Sequence, residues 1–256
     1  MRHFVIPDTQ VKMGVPLEHL RAAGNYIVDK QPETIVHLGD HWDMPSLSYY
    51  DVGTLKAEGG RYVDDIQAGQ QGMEMLLAPI WEHNAKRARN KMKQYKPRMI
   101  FLHGNHEHRI TRSIESDPKI QGERKITDLG VEKFGWKPYE FLRPVEVDGV
   151  LYCHYFVNTA SLKKSVIGGT IENKLKHIGQ TFTMGHQQTL QMGVRYLNNG
   201  KAQRGLVAGA FYQHDEEYMG HQGNHHYRGC IMKHEVKDGN YCLMELSLDY
   251  LMKEWL

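Results

Sequence analysis

Gly104-Asn105-His106-Glu107 stands one residue beyond the apolar run Met99-Ile100-Phe101-Leu102. Four consecutive large apolar residues, closed by a glycine, read as a buried strand and its end. A strand that stops on Gly-Asn-His sets a neutral oxygen donor and an imidazole at the mouth of a sheet. The same punctuation recurs along the chain. Asp8-Thr9-Gln10 ends the run at Phe4-Val5-Ile6, and Gly39-Asp40-His41-Trp42-Asp43 ends the run Thr34 to Leu38. His154 closes Val150 to Cys153, and Gly185-His186-Gln187-Gln188 closes Thr181 to Met184. In open α/β sheets, ligands sit in the crevice beyond the carboxyl ends of the strands. Taken singly, Asp8 is a turn residue or helix cap, His154 a half-buried strand histidine, and Gly185-His186 a simple turn. Together, in this order, they predict an α/β chain with polar side chains converging on one rim.

Outward from these motifs, the first half alternates strand and helix. Pro16 to Lys30 carries a helical pattern, and a longer one runs from about Tyr62 to Tyr95, ended by Pro97. Trp81, Ala85, Ala88, Met92 and Tyr95 fall at steps of three and four, which predicts one shared face. Lys86 to Arg98 holds seven Lys or Arg and no acid. That run reads either as a solvated helix face or as a surface that tracks nucleic acid phosphates. In the second half, Val150 to Cys153, Thr181 to Met184, Leu190 to Leu197, Gly229 to Val236 and Tyr241 to Leu248 read as strands, with Asp238-Gly239-Asn240 as a hairpin turn. Alternating β-α units followed by strand-rich sequence predict two sheets packed face to face with helices outside. No repeat or flexible linker appears, so residues 1–256 read as one domain, with 44–98 as a helical insertion.

The bulk properties fit this reading. At 256 residues, with 40% apolar and 24% charged residues, the chain can bury a full core without disulfides. Its net charge of +2 is too small to argue for a polyanionic partner by itself. Cys153, Cys230 and Cys242 have no CxxC spacing, which points to a reducing, cytoplasmic setting. Neither a signal peptide nor a long apolar segment is found, so no membrane contact is expected. His214, His221, His225 and His226 are irregularly spaced in glycine-rich sequence, as in a loop near the rim of a site.

The ordered set Asp8, Gly39-Asp40, Asp43, Gly104-Asn105-His106-Glu107, His154 and Gly185-His186 resembles the calcineurin-like metallophosphoesterase family over nearly the whole chain. The family pattern is D-x-H, GDxxD, GNH[DE], a lone His, then GHxH. The C-terminal half is also similar to phage or prophage members, which implies a bacterial host cytoplasm. The resemblance implies a four-layer α/β/β/α sandwich and a two-metal hydrolytic centre. It makes Asp40 the bridging ligand, gives Asp8 to the first metal, and gives Asn105, His154 and His186 to the second. His106 becomes the imidazole beside the scissile phosphoryl group, as general acid or electrostatic stabiliser, with Asp43 orienting it.

Two positions depart from the pattern. Gln10 stands for the His of D-x-H, and Gln188 for the second His of GHxH. Both would serve the first metal, and an amide oxygen reaches about as far as an imidazole nitrogen with the same zero charge. The first site becomes all oxygen (Asp8, Gln10, Asp40, Gln188), which suits Mn²⁺, Mg²⁺ or Ca²⁺, while the second suits Mn²⁺. Two such cations against Asp8 and Asp40 attract a phosphate ester. They also lower the pKa of water from about 16 towards roughly 7, providing a bridging hydroxide as nucleophile. Arg109 and Arg112 lie near enough in sequence to contact a substrate phosphate or else cap the helix beginning there, and His41 is expected to line the pocket, with Trp42 either beside it or in the core. The expected activity is a phosphodiesterase on nucleotidic or nucleic acid substrates. A phosphomonoesterase, a nuclease acting on DNA ends and a non-catalytic binding scaffold are the alternatives.

Overall fold

The computed structural model describes residues 1–49, 53, 58–160 and 165–256. Part of the expected 44–98 insertion, residues 50–52 and 54–57, therefore lies outside the described residues. The chain is α/β, with two mixed sheets. The strands are β1 (His3–Ile6), β2 (Thr34–His37), β3 (Arg98–Leu102), β4 (Lys137–Tyr139), β5 (Val145–Val147), β6 (Val150–Cys153), β7 (Phe182–Met184), β8 (Leu190–Tyr196), β9 (Ala202–Ala208), β10 (Gly229–Lys237) and β11 (Asn240–Ser247). The helices are α1 (Glu18–Lys30), α2 (Tyr62–Arg89), α3 (Arg109–Ser116), α4 (Ile171–Ile178), the short α5 (Gly220–Gly223) and α6 (Leu248–Trp255).

One sheet has the order β11-β10-β1-β2-β3-β4 and the other β5-β6-β7-β9-β8. In the first, β1 to β4 run parallel, as do β6, β7 and β9 in the second. β1 and β2 are buried at every position, which explains why Phe4-Val5-Ile6 and Ile35-Val36 are apolar without alternation, while the buried His3, Thr34 and His37 stand at the strand ends. Val5, Val36, Ile100 and Leu102 of the first sheet share an apolar cluster with Val150, Tyr152 and Leu206 of the second. The alternate residues Phe4, Ile6, Ile35 and Phe101 cluster with Leu20 and Ile27 of α1, Leu76 and Leu77 of α2, and Leu251 of α6. Each of those leucines, fully removed from water, contributes about 2 kcal/mol. On the second sheet, Ile171 and Leu175 of α4 lie against Phe182, Met184 and Val207.

Most expected elements appear within two residues of their predicted ends, and Asp238-Gly239 makes the β10–β11 turn with φ of 50° and 80°. The long helix is a correction: it ends at Arg89, not at Tyr95, so Pro97 is not what stops it. The Met92 amide donates to the Arg87 carbonyl and the Lys91 amide to that of Ala88, with Lys91 at φ 53°. This paired closure is a Schellman ending, formed here with Asn90 and Lys91 instead of glycine. Met92 and Tyr95 therefore lie beyond the helix and off the face expected for them. Trp81, Ala85 and Ala88 are exposed, and the buried stripe of α2 is Ile66, Met73, Leu77 and Ile80. Trp81, though partly exposed, stacks on Phe134 at the edge of the core, with ring centroids 6.4 Å apart. β4, β5, β9, α4 and α6 went unpredicted. Among the described residues, no helix is long and apolar enough to cross a membrane.

Candidate functional site

The carboxyl ends of β1, β2 and β3 in one sheet, and of β6 and β7 in the other, open onto a common rim. Backbone bonds tie these loops in two groups: the Thr9 and Gln10 amides donate to the Asp40 carbonyl and the Phe211 amide, after β9, to that of Asp8, while the Gly185 amide donates to that of His154. Glycines let the loops close. A Cβ on Gly104 would lie 2.1 Å from Asp40 Oδ1, and one on Gly185 2.4 Å from Asp8 Oδ1. Gln10, Asp40, His186 and Gln188 all sit at positive φ, between 45° and 66°. Four such non-glycine residues at one rim, each costing roughly 1–2 kcal/mol, mark a place where backbone strain is held for a purpose.

Asp40, His154 and His186 bring one ligand atom each within 4.8 Å of one another, and they form the sole cluster of this kind among the described residues. His154 Nδ1 donates to the Leu38 carbonyl at 2.8 Å, which directs Nε2 inward. That Nε2 lies 2.9 Å from Asn105 Oδ1 and 3.3 Å from Asp40 Oδ2. Asp8 is fully buried and receives the His186 amide at 3.1 Å on both oxygens. The expected second-metal residues Asp40, Asn105, His154 and His186 are therefore together, with Asp8 beside them.

The electrostatics of this cluster favour added positive charge. Burial drives Asp8 up to about 7; the neighbouring Asp40 adds to the rise, while His154 opposes it. Asp40 is also penalised by burial, but His154 and His106 outweigh that and hold it well below the usual carboxylate range. His154 mirrors this: burial lowers it, yet Asp40 carries it up to about 9. Burial takes His186 down to about 4, so its imidazole is neutral and free to donate a lone pair. A buried pair of carboxylates balanced by protonated imidazole suits replacement of the proton by a metal ion.

His106 lies at the same rim, between Asp43 and Asp40. Its Nδ1 lies 2.8 Å from both Asp43 Oδ1 and the Asp43 carbonyl, and its Nε2 is 3.8 Å from Asp40 Oδ2. Burial acts to lower its pKa, but Asp40 and the Asp43 bond prevail and raise it. Arg109 joins this group, with Nη1 donating to the Asp43 and Met44 carbonyls and Nη2 3.3 Å from His106 Nε2. Arg112 is exposed on α3, and among the described residues its side chain makes no hydrogen bond or ion pair.

The two glutamines differ. Gln10 is fully buried and neither its Oε1 nor its Nε2 has a hydrogen-bond partner. Gln188 is satisfied, accepting from Tyr212 at 2.7 Å and donating to the Tyr218 hydroxyl at 3.0 Å. His41 is a correction: it is fully buried, with Nδ1 2.7 Å from Thr9 Oγ1 and Nε2 2.9 Å from the Gly69 carbonyl. It is committed to packing beneath α2 and is closed to a substrate, as is Trp42, whose indole donates to the Ile66 carbonyl. The histidine-rich loop reaches the rim through His214, 2.8 Å from Glu216.

Three residues of the site escaped the sequence reading. Glu107 was read only as the end of its motif, yet its carboxylate accepts the amides of Asp40, His41, Trp42 and Gly104 at 2.7–3.0 Å. Lys12 sits between Asp43 Oδ2 at 3.0 Å and Glu216 Oε1 at 2.7 Å. Its place four residues after Asp8 in the same loop was the available signal; Glu216 carried none.

No protein-family model matches the chain. Over 79 residues it is 34% identical to the Gene 54 protein of Mycobacterium phage D29 and 35% identical to the Gene 54 protein of Mycobacterium phage L5. The match takes in 31% of the chain and 29% of each relative, so less than a third of the length of these curated proteins is covered.

Proposed function

We propose that the chain is a metal-dependent phosphoesterase of the calcineurin-like type, one domain over 1–256 with the 44–98 insertion and helices flanking two stacked sheets as a four-layer sandwich. The observation that carries the reading is Asp40: buried, strained, and set between the His106 and His154 imidazoles with Asp8 alongside. Asp40, Asn105, His154 and His186 would hold one divalent cation. Asp8, Gln10, Asp40 and Gln188 would hold the other, and the unpaired amide of buried Gln10 fits that assignment. Mn²⁺ is the preferred ion at both, with Mg²⁺ or Ca²⁺ as alternatives at the first. Bound cations supply Lewis acidity and a nucleophilic water at neutral pH.

The protein's own groups do the rest. His106, raised in pKa and held at Nδ1 by Asp43, would give a proton from Nε2 to a departing oxygen once Arg109 Nη2, now 3.3 Å from that nitrogen, turns to the substrate. Arg109 adds a cation beside it, suited to a phosphoryl oxygen. The preferred substrate is a phosphodiester, nucleotidic or nucleic acid, and the phage relatives suit a bacterial host cytoplasm. Hydrolysis of bis-p-nitrophenyl phosphate with added Mn²⁺ tests the reading. Activity that disappears in both His106→Ala and Asp40→Asn supports it; no turnover with any divalent metal, together with a stable protein partner in pull-down, favours a scaffold.

A further inference from the structure

The acid-free run from Lys86 to Arg98 is concentrated far from the site. It carries seven positive charges, and the whole chain is +2, so the remaining residues sum to −5. The protein is thus an acidic body with one basic pole. Six of the seven cations are exposed, Arg87 alone being half-buried, and none has an ion-pair partner among the described residues. Three of them, Arg87, Lys93 and Lys96, line a cleft of about 620 Å³ together with Arg2, Glu33 and Tyr95, and Lys91 lies in the same turn. Its single carboxylate, Glu33, is already neutralised by Arg2 at 3.0 Å.

The cleft is shaped by specific bonds. Asn84 grips Tyr95 at both backbone groups, at 2.8 Å each, and the Tyr95 phenol donates to the Pro32 carbonyl at 2.6 Å. Arg87 donates to the Lys93 carbonyl. The lysines therefore project from a fixed turn, which lowers the entropy lost when they meet a ligand. Arg2, Glu33 and Pro97 precede β1, β2 and β3, so the cleft lies at the amino ends of the strands whose carboxyl ends carry the site. Strands of four or five residues at about 3.3 Å each put roughly 15 Å of sheet between them.

We propose that this basic cleft is a binding surface for the phosphate backbone of a nucleic acid, separate from the metal site and independent of the phosphoesterase reading. A concave surface with several unpaired cations and an aromatic side chain suits a flexible polyanion better than a flat lipid surface.

Fluorescence anisotropy of a labelled 20-nucleotide single strand, titrated from 50 to 200 mM salt with EDTA present, tests it. The full-length protein should bind with steep salt dependence. Lys91→Glu/Lys93→Glu/Lys96→Glu should weaken binding more than about tenfold and reduce the log–log salt slope by about 2, at roughly 0.7 per lost phosphate contact. The neutral version with Gln at the three positions should lose binding in the same direction. Lys133→Glu/Lys176→Glu/Lys201→Glu, with the same charge change scattered over exposed positions, should keep the wild-type slope, and thermal unfolding checks that each variant is folded. Equal loss in the scattered variant, no binding by wild type, or capture by phosphatidylserine vesicles in preference to the oligonucleotide would overturn the proposal.

Discussion

His106 and Asp43 form a buried pair, with the imidazole Nδ1 2.8 Å from the Asp43 carboxylate. Burial disfavours that carboxylate, but His106, Lys12 and Arg109 hold it down at about 2, so it stays ionised under all ordinary conditions. A fixed negative charge there both aims the ring and favours its protonated form.

Asp43→Asn should therefore do two things. It should lower kcat/KM for a phosphodiester about ten- to a hundredfold, the usual cost of removing a carboxylate that orients an imidazole. It should also lower the pKa of His106, since a raising influence is gone, and shift the basic limb of the pH–rate profile to lower pH. A variant with lower activity but an unmoved basic limb would mean that Asp43 only packs against the ring.

Glu107 has a different task. By receiving four amides from two loops, it welds the β2 loop carrying Asp40 and Asp43 to the β3 loop carrying Asn105 and His106. Glu107→Gln turns one acceptor into a donor facing two N–H groups. A loss of about 3 kcal/mol is expected from the broken charge-assisted bonds, which lowers Tm by roughly 6–12 °C in a chain of this size. Divalent metal content should fall with it. Thermal unfolding checks the first effect and elemental analysis the second.

Glu107 also shows where reading the sequence stopped. The strand-end motifs were legible because each joins a local signal, an apolar run and a glycine, to a residue type with obvious chemistry. The buried runs at Phe4, Thr34 and Met99 could be placed for the same reason. Partners joined only by the fold carry no such mark. Glu216 reaches Lys12 across 204 residues, and Tyr212 reaches Gln188 between loops, so neither can be seen in a window of sequence. His41 misled because it stands between two site residues, Asp40 and Asp43, in a loop whose side chains point in different directions. The short strand β4 and the glycine-interrupted β9 lack the apolar contrast on which periodicity depends.

Acid should also destabilise the fold through His3 and His19, neither of them a proposed metal ligand. Burial, opposed by their hydrogen-bond partners Asp148 and Gln213, carries both His3 and His19 down to about 4. An unfolded histidine titrates near 6.5, so the unfolded chain takes up the proton first. The stabilisation is complete above about pH 6.5 and drains away as pH falls towards 4, at about 3 kcal/mol for each imidazole kept neutral. Tm should therefore drop steadily between pH 6.5 and 4.5, and less steeply in His19→Leu. A Tm flat across that window would contradict the assignment.

The two glutamines should respond unequally to restoration of histidine. A buried amide with neither atom bonded costs about 1–3 kcal/mol, so Gln10 fits its surroundings best with a cation taking its oxygen. Gln188 already balances both ends of its amide against Tyr212 and Tyr218, and a histidine there must break both bonds. After dialysis against equal Mn²⁺ and Zn²⁺, Gln10→His should retain more Zn²⁺ than wild type, because imidazole favours the softer ion. Gln188→His alone should gain less, and the double variant most, provided Tyr212 and Tyr218 find new partners. If the double variant binds no more Zn²⁺ than the parent, neither glutamine faces a metal, and the strained φ of both positions needs another cause. Should Gln188→His alone gain as much as the double variant, the cation would lie on the tyrosine side of the rim, and the empty amide of Gln10 would be a packing defect.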